Sequence, residues 1–109
     1  MVNYSELFHI LIPRLVEIYQ DNSMRIILYG SVARGTQTDE SDVDIAVIIP
    51  AYTREMHDRM LDLLAGLEIE YNTVLSVIMI DSEEFAEWEN VLPFYKNVKE
   101  EGIVLWPAA

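Results

Sequence analysis

The chain has 109 residues, 51% of them apolar, no cysteine, and a formal net charge of −12 from 19 acids against seven lysines and arginines. That length and apolar content fit a single folded domain, expected over residues 1–109, with enough material to bury a core. Disulfides and thiolate metal sites are excluded, no apolar run reaches the roughly 18 residues of a membrane span, and so acidic a surface repels a nucleic-acid backbone.

The opening Met1-Val2-Asn3-Tyr4-Ser5-Glu6 lacks the basic start of a signal peptide, so a cytoplasmic location is expected. A basic protein partner suits the negative charge, and so does a nucleotide whose phosphates are neutralised by metal ions. Acidity that serves solubility alone is the competing explanation.

Asn3 and Glu6 form a capping pair that opens a helix, with Leu7, Leu11, Leu15 and Ile18 as its apolar face. Pro13 predicts a kink or restart within it. Asp21-Asn22-Ser23 is a turn, and Met24 to Tyr29 reads as a strand that ends at Gly30. A second strand runs from Asp42 to Ile49 and stops at Pro50. Met56, Met60, Leu63, Leu64 and Leu67 make one stripe of a helix over Thr53 to Ile69. After a turn at Asn72 comes a third strand, Thr73 to Ile80, so uniformly apolar that a covered or central position is expected. Asp81 or Ser82 caps a short acidic helix through Trp88, Pro93 starts another short segment, and Gly102 precedes an extended Ile103-Val104-Leu105. Strands separated by helices predict an α/β or α+β fold, a sheet with helices packed on it.

Two features carry chemistry. The first is Gly30-Ser31-Val32-Ala33-Arg34-Gly35, at the end of the first strand. Gly30 permits close approach to the backbone, Ser31 reads as the N-cap of a helical turn, and such a terminus offers free N–H groups to a phosphate. Arg34 adds a cation suited to an anion, although an ordinary exposed arginine is the simpler reading. The second is Asp42-Val43-Asp44, opening the next strand. Residues i and i+2 of a strand share a face, with Cα atoms roughly 7 Å apart. Two such carboxylates can hold Mg²⁺, which takes one or two carboxylates and completes its shell with substrate phosphates. Alone, the pair could equally be a solvated strand end.

Together, GSVARG followed by SDVDIAVI resembles the nucleotidyltransferase superfamily related to DNA polymerase β, and in its brevity the minimal nucleotidyltransferase (MNT) branch. The resemblance implies a small mixed sheet flanked by helices and transfer of a nucleoside monophosphate from an NTP, such as AMP from ATP, to a hydroxyl. By position it implies that Gly30, Ser31 and Arg34 hold the triphosphate and that Asp42 and Asp44 bind Mg²⁺. It further implies a HEPN-type toxin as partner, with this chain as antitoxin; homo-oligomerisation stays open.

The family pattern has a third carboxylate on a later strand, and no acid lies between Tyr71 and Ile80. Strand parity puts Ser76 at the matching position, with Glu70 and Asp81 as flanking candidates. A serine is neither a general base at neutral pH nor a good magnesium ligand. A catalytically silent antitoxin that acts by binding is therefore the alternative, and transfer to a small molecule is a third. His9 and His57 lack a partner at metal spacing and read as surface or packing residues. Trp88, Phe94, Tyr95 and Trp106 read as core or tail-docking residues, with an interaction surface as the other possibility.

Overall fold

In the computed structural model, α1 spans Tyr4–Tyr19 and β1 Arg25–Tyr29; α2 is a short turn of helix, Gly30–Arg34. Next come β2 Val43–Ile49, α3 Arg54–Tyr71, β3 Leu75–Asp81, α4 Ser82–Trp88, α5 Pro93–Glu101 and β4 Ile103–Trp106. Residues 2–107 are described; Met1, Ala108 and Ala109, the ends of the expected 1–109 domain, lie outside them.

The Asn3 side chain accepts a hydrogen bond from the Glu6 N–H at 3.1 Å and its amide donates to Glu6 Oε2 at 3.4 Å, as a capping pair should. The helix does not restart at Pro13. Leu11 and Leu15, on either side of it, are both fully buried, so tertiary packing holds the backbone where one hydrogen bond is lost. Thr53 caps α3, and Asn72 ends it in the left-handed conformation (φ 49°).

The sheet order is β3-β2-β1-β4, with β1 antiparallel to both β2 and β4 and β2 parallel to β3. The sheet is therefore mixed and flanked by helices. On one face, α1 and α3 pack against Ile26, Leu28, Val43, Ile45, Val47 and Leu75 to form the main core. On the other, Phe85 of α4 and Val98 of α5 cover Ile27, Ala46, Ile48 and Ile80. The larger helices thus cover most of one face, and the shorter pair leaves Asp44 and Ser76 of the second face only partly buried.

Of the two placements expected for β3, covered or central, the structure shows the first: it is an edge strand packed against helices on both faces, with most of its residues only partly buried. Its apolar run reflects burial on both faces by flanking helices, which does not require a neighbour on both edges.

Candidate active site

β1 ends at Tyr29, and Gly30 turns the chain into α2 with φ +76°. That conformation starts the helical turn two residues earlier than expected: Tyr29, not Ser31, is the N-cap, and no side chain caps it. A five-residue helix leaves its first N–H groups without partners inside the helix. Gly35, also left-handed (φ 73°), closes the turn, and the Thr36 N–H returns to the Ser31 carbonyl at 3.0 Å.

Asp44 sits beside this turn. Its register partner in β1 is Tyr29 and in β3 is Ser76. A Cβ on Gly30 would run into Asp44 Oδ2 and lie 3.1 Å from Cγ. Glycine is therefore required twice over, by the backbone angle and by the carboxyl pressed against it. Asp42 lies just ahead of β2 and is exposed, whereas Asp44 is half-buried. Burial, and then the charge of Asp42, raise the Asp44 carboxyl above its ordinary value, and Arg34 opposes the rise. Burial and the Asp44 charge also raise the Tyr29 phenol. Two carboxylates repel each other there, and one cation of the chain partly relieves them.

Arg34 lies 3.7 Å from Glu101 of α5, both side chains being about half exposed. Between them runs a cleft of about 220 Å³ bounded by Tyr29, Gly30, Phe94 and Asn97. Phe94 meets Tyr29 edge to face at 5.5 Å. A larger groove, about 610 Å³, is lined by α1 and α3 side chains such as Arg14 and Arg59, and brings none of the motif residues together.

Neither flanking acid reaches the Ser76 position. Asp81 pairs in register with Ile49 at the other end of β3, where its carboxyl caps α4 by accepting from the Glu83 and Glu84 N–H groups. Glu70 is in the last turn of α3 and lines a separate groove with Thr38 and Ser41. Among the described residues there is no group of three or more acids and histidines that could hold a metal. The donor set at the site is thus two hard carboxylates, which fits Mg²⁺ only as a partial shell, with substrate phosphate oxygens supplying other ligands.

Tyr29, Phe94 and Glu101 were not read as site residues in the sequence. Tyr29 was legible, because it shares strand parity with Ile27. Phe94 and Glu101 arrive from α5, and no local pattern announces where that helix docks.

A mixed sheet flanked by helices, with a glycine turn held against the carboxylate of the neighbouring strand, defines the nucleotidyltransferase fold class. The nucleotidyltransferase domain family matches residues 10–105, and the chain belongs to that family. A Methanocaldococcus jannaschii protein named "putative protein adenylyltransferase MJ0604" is 38% identical over 88 residues, covering 81% of this chain and 83% of the relative. A second from that organism, "putative protein adenylyltransferase MJ1305", is 31% identical over 71 residues, 62% of this chain and 48% of the relative. Among solved structures, one described as the crystal structure of the toxin-antitoxin with AMP-PNP matches with a TM-score of 0.57 at 23% identity, covering 90% of this chain and 72% of that one.

Proposed function

We propose that the chain, as one domain over residues 1–109, is a cytoplasmic Mg²⁺-dependent transferase that moves AMP from ATP to a hydroxyl on a HEPN-type toxin, and so acts as its antitoxin. The observation that carries this reading is the Gly30–Asp44 contact, which puts a ligand-accessible backbone turn and a half-buried carboxylate side by side. The names of the M. jannaschii relatives and the AMP-PNP in the toxin–antitoxin neighbour support an adenine nucleotide and a protein partner.

In this reading the α2 turn, through Gly30 and Ser31, binds the triphosphate, and Arg34 exchanges Glu101 for phosphate oxygens. Asp42 and Asp44 hold Mg²⁺, which when bound neutralises the phosphates that this acidic chain would otherwise repel. The acceptor oxygen forms a bond to the α-phosphorus, the bond from that phosphorus to the bridging oxygen breaks, and pyrophosphate leaves. The hydroxyl proton must also leave, and Ser76 cannot accept it at neutral pH. Turnover therefore depends on positioning and charge stabilisation, and is slow without an outside base.

Incubation with labelled ATP, Mg²⁺ and the HEPN-type protein should label that protein, and Asp42→Ala with Asp44→Ala should abolish the labelling. Label transfer that survives the double substitution would sink the metal assignment. Ser76, in register beside Asp44, favours a second reading: a silent antitoxin that neutralises by binding. That reading predicts neutralisation without ATP and indifference to both aspartates.

A further inference from the structure

The connection from α4 to α5 exposes four large apolar side chains in a short stretch of chain. Trp88 is 38% exposed, Val91 62%, Leu92 40% and Phe94 41%. None is core, contrary to the simpler expectation for Trp88 and Phe94. The turn is held in place rather than loose: Lys99 of α5 donates to Asn90 at 2.7 Å and lies 3.3 Å from Glu89. The ridge is therefore a fixed, water-facing apolar surface, of the kind that marks an interaction site. It ends at Phe94, which also walls the cleft containing Gly30 and Arg34.

Charge identifies the occupant. Between Asp81 and Glu101 there are seven acids and two lysines. Glu83, Glu84, Glu87 and Glu100 have no ion-pair partner among the described residues. An apolar ridge with an acidic surround is matched by an amphipathic segment with cationic flanks, and it repels a second copy of this chain.

We propose that the Trp88–Phe94 ridge docks a cationic amphipathic helix of the partner protein, with the acceptor hydroxyl directed past Phe94 toward the Gly30 turn and the Asp44 carboxyl beside it. This rests on the transferase reading for the direction of the hydroxyl, whereas the docking itself does not. A protein segment, rather than a nucleotide or another acidic chain, is what the surface selects.

The test uses the full chain and a synthetic amphipathic helical peptide of leucine and lysine carrying one tyrosine, at about 0.15 M salt, where charges act over only about 8 Å. Titrated without ATP or Mg²⁺, the peptide should move the backbone amide resonances of residues 83–101. Val91→Lys with Leu92→Lys, both at exposed positions, should weaken binding about tenfold. Asp42→Ala with Asp44→Ala should leave binding unchanged. Resonance changes clustered on α1 and α3, equal affinity of the lysine variant, or equally tight binding of a glutamate-for-lysine peptide would each overturn the docking site. Sedimentation of the free chain as a dimer that the lysine variant dissolves would overturn it too, by assigning the ridge to a second copy. Adding ATP and Mg²⁺ separates the two parts of the proposal: binding at the ridge without AMP transfer to the tyrosine supports the docking site and overturns the path of the hydroxyl past Phe94, while the transferase stands or falls on labelling of the HEPN-type protein.

Discussion

Gly30 and Gly35 have similar left-handed angles and different surroundings, which makes them a controlled pair. A Cβ at Gly35 meets nothing within 4 Å, whereas one at Gly30 meets the Asp44 carboxyl. Alanine at either position carries backbone strain of about 1–2 kcal/mol. Gly35→Ala should therefore lower stability by that amount in urea unfolding and leave AMP transfer largely intact. Gly30→Ala should lose more stability and also most of the transfer, because the carboxyl must move. Equal transfer by the two variants would break the link between Gly30 and the site. At Tyr19, 3% exposed, the hydroxyl donates to the Met60 and Met79 sulfurs, at 3.3 and 3.7 Å. Burial, and then the charge of Tyr52, push its phenol up to about 12 from an ordinary 10.0. The folded state thus holds its proton more tightly than the unfolded state. Its contribution is complete below pH 10 and is lost as the pH rises toward 12, by at most about 3 kcal/mol. Tyr19→Phe should match the parent near neutrality and unfold less steeply with alkali than the parent, measured by thermal melts from pH 8 upward.

Among the elements, β2 with its two neighbours decides the chemistry. Ser76 lies in register beside Asp44 across the parallel β2–β3 pair, so a carboxylate introduced there would join a site that already raises Asp44. Ser76→Asp should lower the melting temperature in EDTA through like-charge repulsion, and Mg²⁺ should restore it. If the transferase reading holds, AMP transfer should rise as well, within the roughly 10²–10⁴-fold range of general-base help. A variant indifferent to Mg²⁺ would count against a metal site beside this position. Much of this was legible in the chain. The Asn3 cap, the Leu7-Leu11-Leu15 stripe and the parity within β3 that singles out Ser76 all follow from local patterns, whereas the register that sets Ser76 beside Asp44 does not. What was illegible depends on docking between distant elements. The edge position of β3 follows from pairing that its composition does not encode. Pro13 is overridden by burial on either side, and the Arg34–Glu101 approach needs α5 placed on the open sheet face.

At the scale of the whole molecule, 19 acids cannot be paired by seven cations, and only two ion pairs form among the described residues. The Cα frame measures 37 × 32 × 24 Å. At about 0.01 M salt the screening length is about 30 Å, so nearly every acid feels every other; at about 0.15 M it is about 8 Å and only neighbours do. Raising sodium chloride across that interval should therefore stabilise the fold, by about 4–8 °C in melting temperature for each kcal/mol of repulsion removed. Glu83→Lys with Glu87→Lys, each reversal changing the charge by two, brings the net charge from −12 to −8. Neither residue has an ion-pair partner to lose among the described residues. That variant should melt higher than the parent at low salt and respond less to added salt. It should also bind the lysine–leucine peptide more weakly, because these acids flank the exposed ridge. Stability gained together with partner affinity lost would mean that the charge destabilising the free chain is retained for association. A variant that melts no higher at low salt would remove the self-repulsion on which this trade-off depends.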